Sequence, residues 1–170
     1  MAIAGTYTSS SSSLFKDQKE TKEQHFVLQG IKESLQDLVR WRKEISYERH
    51  FYELKHLCTE LEGELKDFFD PSMICDKLHP TAALGGYPTK KVFHWLSQLP
   101  SQEQRGFFGA PFGFFDGVDQ FFCIVSIRGL QWDLKRIQVS SGCGVIAESS
   151  LQKEWRELFL KREQVKKLFQ

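Results

Sequence analysis

No run of apolar residues in this 170-residue chain approaches the roughly 20 needed for a membrane-spanning helix, and none is expected. The N-terminus lacks a basic stretch followed by an apolar one, so no secretory leader is evident. Charge of neither sign dominates: 23 Lys and Arg stand against 22 Asp and Glu, for a net charge of +1. Without a basic block, binding to nucleic acid or to an acidic membrane surface has no electrostatic basis. Cys58, Cys75, Cys123 and Cys143 form no CxxC pair and sit in apolar or glycine-rich contexts. That excludes the usual zinc spacings and predicts reduced thiols in a cytoplasmic protein. Gly85-Gly86 comes with neither a GxGxxG spacing nor a Lys-Ser/Thr pair, so it is not a phosphate loop. No internal repeat is present.

What remains is an ordinary globular composition, 41% hydrophobic and 26% charged, long enough for one domain with a sizeable core. The oddity is phenylalanine: of 15, seven lie between Phe107 and Phe122. A base-stacking platform would interleave Lys and Arg, which that segment lacks, so these rings are expected to be core between a sheet and helices. Along the chain, residues 2–6 read as a strand end and 8–13 as a polar loop. Val27, Ile31, Leu35 and Leu38 recur at helical spacing and predict a helix over 16–43. A strand through Phe51, Glu53 and Lys55 should end near Cys58. A helix over 89–99 is bounded by Pro88 and Pro100. Strands at 107–115 and 120–129 should meet at the Asp116-Gly117 turn, with a third strand at 132–141. A C-terminal helix over 150–169 carries Trp155, Leu158, Phe159, Val165 and Leu168 on its apolar side. Helices and antiparallel strands in this order give an α+β fold.

Two Glu-x-x-Glu pairs stand out chemically: Glu20 with Glu23, and Glu154 with Glu157. Residues three apart share a helix face, so each pair aims two carboxylates one way. Two facing helices of this kind could supply the oxygen ligands that Mg²⁺ prefers. A solvated acidic face is the plain alternative. His56, at a strand end, reads by itself as a packed or surface histidine.

The stretch Leu78-His79-Pro80-Thr81-Ala82-Ala83-Leu84-Gly85-Gly86-Tyr87-Pro88 closely resembles the "LHPTPAVGGxP" motif of the isochorismate synthase branch of the chorismate-utilising enzymes. Glu154-Trp155-Arg156-Glu157-Leu158-Phe159-Leu160-Lys161 matches that family's terminal "EWxExxxK", and Lys19 to Gln24 occupies the place of its "SxKDxxEH". The resemblance runs from Ala2 to the last helix, in the family's order. It implies the C-terminal part of a layered α/β/β/α chorismate-binding fold, with residues 1–170 a partial domain. It also implies Mg²⁺ as cofactor, with Glu23 and Glu157 as direct ligands and Glu20 and Glu154 acting through water. On the substrate side it implies that Gly5 and Thr6, matching "ALAGT", cradle the ring carboxylate of chorismate. Arg128 would hold the enolpyruvyl carboxylate, with Lys161 near the metal. Gly142 and Gly144, matching the "GAG" turn, would bring bare backbone to the substrate. His56 would line the pocket near the reacting carbons, and Thr81 would shape its floor. His79 is expected to be structural.

The His-Pro-Thr motif points to water as nucleophile, hence to conversion of chorismate to isochorismate. The family's general-base lysine and general-acid glutamate precede the "ALAGT" segment, so no catalytic acid or base is assigned in this chain. Strands that pair with this part in the family's sheet are not found either, which predicts uncovered apolar faces and sheet edges. Three readings follow. The chain is the metal- and substrate-clamping half of an isochorismate synthase, completed by a separate chain carrying the N-terminal half. Alternatively it is an inactive truncated remnant, or a non-catalytic module that binds chorismate.

Overall fold

The computed structural model describes residues 1–8, 17–51, 54–67, 70–118 and 120–169, with residues 5–8 and 51 followed as backbone alone. The polar loop expected over 8–13 falls outside the described residues from position 9 onward, as does Glu53. Helices combine with antiparallel strands, so the fold is α+β as the sequence pattern predicts. Internal contacts divide the chain into two compact units, Met1–Trp95 with Gly144–Ser149 and Leu96–Cys143 with Ser150–Gln170.

The first unit is built on a three-stranded antiparallel sheet in the order β1 (Ala2–Thr8), β3 (Leu54–Leu65), β2 (Val39–Phe51). Helix α1 (Gln18–Leu35) packs across β1 and β3. It starts where the Asp17 carboxylate caps the backbone N–H groups of Lys19 and Glu20. Val27 and Leu35 supply its buried apolar contacts. The helix expected to reach residue 43 stops at Leu35. A turn follows in which Leu38 N–H donates to the Leu35 carbonyl at 3.0 Å, and the chain then extends into β2. The strand expected to end near Cys58 likewise continues to Leu65, because β2 supplies a partner along its whole length. The core gathers Ala2, Val27, Leu35, Leu38, Leu54, Leu57 and Cys58 around the centre of β3.

Helix α2 (Pro71–Leu78), capped by Asp70, was not foreseen in the sequence pattern. Next comes the single turn α3 (Ala82–Gly85), then α4 (Thr89–Ser97), which falls within its expected range. The 78–88 motif packs on α1: Gly30 leaves room for the Ala82 side chain, whose Cβ would stand 3.5 Å from a Cβ at position 30. Tyr87 stacks on Phe26 with centroids 5.5 Å apart, and its hydroxyl donates to Glu33 at 2.9 Å.

The second unit holds two hairpins and a helix. Strands β4 (Pro111–Phe115) and β5 (Phe121–Val125) pair antiparallel. The Asp116 carboxylate accepts from Val118 and Gln120 N–H in the connecting turn. In place of one strand over 132–141 there are two, β6 (Leu130–Trp132) and β7 (Ile137–Val139), because Asp133 folds the chain back by accepting from Lys135 and Arg136 N–H. Helix α5 (Leu151–Lys167) closes the unit, and Val165 is its one buried apolar side chain among the described residues. Six of the seven phenylalanines expected in a core are instead exposed, Phe112 at 67% and Phe122 at 52%, as is Trp155 on α5 at 66%, while Phe108 is half-buried. The physical reason is that a two-stranded sheet covers neither of its own faces.

Candidate functional site

The N-terminal turns of α1 concentrate charge. Lys19 Nζ lies 3.3 Å from Glu20 Oε1 and 2.9 Å from Glu23 Oε1, and Glu20 is buried. Gly144 backs directly onto the second carboxylate: a Cβ built there would stand 2.5 Å from Glu23 Oε2 and 2.8 Å from its Cδ. Gly144, whose bare backbone is expected to approach a substrate, also makes room for a side chain of this same unit. The 144–149 segment is held to α1 by an ion pair between Lys22 and Glu148. One helical turn on, Gln24 Nε2 donates to Thr59 Oγ1 at 2.8 Å, and Thr59 bonds Ser46 Oγ at 2.8 Å. This chain of polar contacts ties α1 to β3 and β2, fixing the helix that carries the glutamates.

Gly5, Thr6 and His56 meet in the sheet. The β1–β3 register slips between Ala4 and Thr6, leaving Gly5 as the extra residue of a bulge and pairing Thr6 with His56. His56 is buried on the face of β3 opposite Thr59. Thr81 is the N-cap of α3, its carbonyl accepting from Leu84 and Gly85 N–H, in the motif that packs two turns further along α1. The exposed His79 precedes it.

In the second unit one face of α5 presents Glu154, Glu157, Lys161 and Gln164, spaced by three or four residues. Lys161 Nζ bridges Glu157 Oε1 at 2.5 Å and the Gly142 carbonyl at 2.9 Å. Arg128 donates to Gln164 Oε1 at 2.6 Å. Burial pulls its guanidinium below the ordinary value while the Glu157 charge opposes that. Arg128 stands in the link after β5, not at the strand end expected for it, with φ at +57°. Among the described residues it is the one non-glycine in the left-handed region, which costs on the order of 1 kcal/mol. Arg162 fastens the neighbouring Ser141 through its hydroxyl at 3.2 Å. Burial, reinforced by the charges of Glu154 and Glu157 and opposed by Lys161, pushes the Cys143 thiol up to about 11. Arg128, Gly142, Glu154, Glu157 and Lys161 thus share one locality, as do Glu20, Glu23 and Gly144 in the first unit.

Among the described residues, no three or more His, Cys, Asp or Glu side chains gather as a metal-holding group. Each helix nevertheless offers carboxylate oxygens in the partly dry setting that suits Mg²⁺, which takes only one or two carboxylates and keeps several waters. Glu154 is buried like Glu20, and a lysine stands against each pair's outer carboxylate. In chemical type the donors fit that ion. Sequence reasoning passed over Lys19 and Gln164. The first was findable, since Lys19 and Glu23 stand four apart within the motif itself.

Residues 5–170 match the family model described as chorismate binding enzyme. The chain is 30% identical over 172 aligned residues to isochorismate synthase MenF of Haemophilus influenzae, covering 92% of this chain and 38% of that protein. It is 32% identical over 108 residues to the salicylate biosynthesis isochorismate synthase of Pseudomonas aeruginosa, covering 64% of this chain and 22% of that one. Its fold is similar to that of the menaquinone-specific isochorismate synthase MenF of Escherichia coli, with a TM-score of 0.82 at 21% identity over 99% of this chain and 41% of the other. The chain thus spans well under half the length of these relatives. A match over nearly every residue, with the expected α+β fold, places it: the chain belongs to the chorismate-binding enzyme family.

Proposed function

We propose that this chain supplies the metal-binding and carboxylate-clamping half of an isochorismate synthase, acting on chorismate to give isochorismate. The carrying observation is the polar face of α5, where Glu157, Lys161 and Arg128 converge with the Gly142 backbone. Chorismate bears two carboxylates, and each requires a cationic or metal-based partner. Arg128 is suited to the enolpyruvyl carboxylate: its guanidinium is already oriented by Gln164 and offers further N–H donors in a fixed fork. Lys161 steers the anion and can trade Glu157 for it. By the family resemblance, Gly5, Thr6 and His56 would line the ring side, with Thr81 in the floor.

Glu23 and Glu157 would hold Mg²⁺ directly, and Glu20 and Glu154 would orient its waters. When bound, the ion supplies positive charge that offsets the ring carboxylate. The general base and acid would come from the N-terminal half of the family's domain, which lies outside these residues. Consistent with such a half is the exposed apolar β4–β5 hairpin, whose faces it would cover.

Titration calorimetry tests the reading. Chorismate binding to the chain should depend on Mg²⁺, and Glu157→Gln should abolish that dependence. Unchanged affinity in the variant would remove Glu157 from the site. Co-expression with an N-terminal segment of a relative should yield isochorismate. Saturable binding with no turnover in that pairing would favour the non-catalytic module.

A further inference from the structure

We infer that Lys19 is a resident counter-ion for the Glu20–Glu23 pair, occupying the carboxylates until a divalent cation displaces it. This rests on the reading of Glu23 as a metal ligand and goes beyond it, since that reading gives Lys19 no part.

The position argues against a role in helix stability. Asp17 is the N-cap, so Lys19 is the second residue of α1, where the positive end of the helix dipole disfavours a cation. Its order relative to Glu23, lysine first and glutamate four residues later, is the weaker arrangement for a helical ion pair. An ordinary surface pair would also be solvated. Here the side chains of Lys19, Glu20 and Glu23 are only 15%, 4% and 13% exposed. A lysine so placed gives little to the helix but much to the carboxylates. Two of them on adjacent turns in a partly dry setting repel, and the ammonium within 3.3 Å of both compensates that repulsion.

Gly144 completes the arrangement. Its missing Cβ is the space into which the Glu23 carboxylate is pressed, so Glu23 is held from behind by backbone and in front by the ammonium. A divalent cation approaching Glu23 would compete with Lys19 for the same oxygen. The long, flexible lysine stem lets the ammonium swing away to water without moving the helix. Lys19 would thereby keep the empty site folded and set the metal affinity lower than the carboxylates alone would give.

The test is calorimetric titration of the full chain with MgCl₂ and MnCl₂, using Lys19→Met, Lys19→Gln and, as control, Glu23→Gln. Removing the competing ammonium should tighten Glu23-dependent binding about tenfold, equivalent to about 1.4 kcal/mol. In parallel, saturating Mg²⁺ should raise the melting temperature of both Lys19 variants more than that of the unmodified chain, because their empty sites carry uncompensated charge. Glu23-dependent binding that is unchanged or weakened in both variants would overturn the displacement while leaving Glu23 as a ligand. Absence of Glu23-dependent binding in every protein would overturn the metal reading, and the displacement with it.

Discussion

Alanine at Gly144 tests the architecture of the α1 carboxylates most directly. The new Cβ would sit 2.5 Å from Glu23 Oε2, about 0.9 Å short of an ordinary contact of 3.4 Å. The obstructing atoms are the far end of a glutamate, not backbone, so the side chain is what yields. The cost to the empty protein should therefore be small, about 1 kcal/mol, at the low end for adding a methyl to packed structure. The consequence for metal is larger. Ligand distances must hold to about 0.2 Å, and an oxygen displaced by nearly 1 Å no longer satisfies that. Loss of such support typically lowers metal affinity by about 10- to 100-fold. Gly30→Ala on the same helix as Glu23 is the matched control, because its Cβ would meet the Ala82 and Tyr87 side chains at an ordinary 3.5 and 3.9 Å. Calorimetry with Mn²⁺ alongside thermal unfolding separates the two effects. Gly144→Ala with unaltered Glu23-dependent affinity would refute the idea that the glycine exists to seat this carboxylate. So would an equal loss in Gly30→Ala.

Cys143, with its thiol pushed up to about 11, should react with iodoacetamide at pH 8 roughly 100-fold more slowly than an unperturbed thiol, since only the thiolate attacks. Because the folded-state value is raised above the unfolded one, the associated stability is complete below about pH 9 and lost as pH rises toward 11. Rapid Cys143 labelling at pH 8, read by mass spectrometry, would contradict this. Phe114 and Phe122 are register partners with centroids 5.6 Å apart and both are exposed, so the double change Phe114→Lys with Phe122→Glu should leave stability within about 1 kcal/mol. It should reduce dye binding and concentration-dependent association, whereas loss of the fold would mean these rings are core after all.

How much of this was legible depends on the distance over which each feature is specified. Motifs that pack locally were readable: residues 78–88 form a compact turn over α1, and the terminal Glu-Trp-x-Glu pattern lies on a helix as its spacing demands. The β2–β3 hairpin was misread for a physical reason. Its pairing register shifts between Trp41 and Lys43, so the alternation of Val39 and Trp41 with Arg40 changes face before Ile45 and Tyr47 resume it. In the sequence Val39, Trp41, Ile45 and Tyr47 keep a period of two, but Lys43 interrupts it after two apolar residues, and the helical spacing of Val27, Ile31, Leu35 and Leu38 then extends too far. Leu38 belongs to the core but not to the helix. The phenylalanines failed differently. Hydrophobicity says that a side chain prefers to be covered, not that this polypeptide provides the cover.

On the proposed reading, both glutamate pairs must fold before any metal arrives, and a lysine four residues away stands against each. On α1 the lysine precedes its glutamate by four residues, and on α5 it follows by four. The second order is the favourable one for a helix, and Lys161 is anchored further by the Gly142 carbonyl. The two lysines should therefore not respond alike. Removing Lys161 takes away a helix-stabilising pair, a backbone tether and a proposed substrate contact together, so it should damage stability and ligand binding at once. Removing Lys19 takes away only compensation for charge, which a divalent cation can restore. The asymmetry follows from sequence order and helix polarity alone, and it makes Lys19 the position at which metal affinity can be changed without disturbing the substrate clamp.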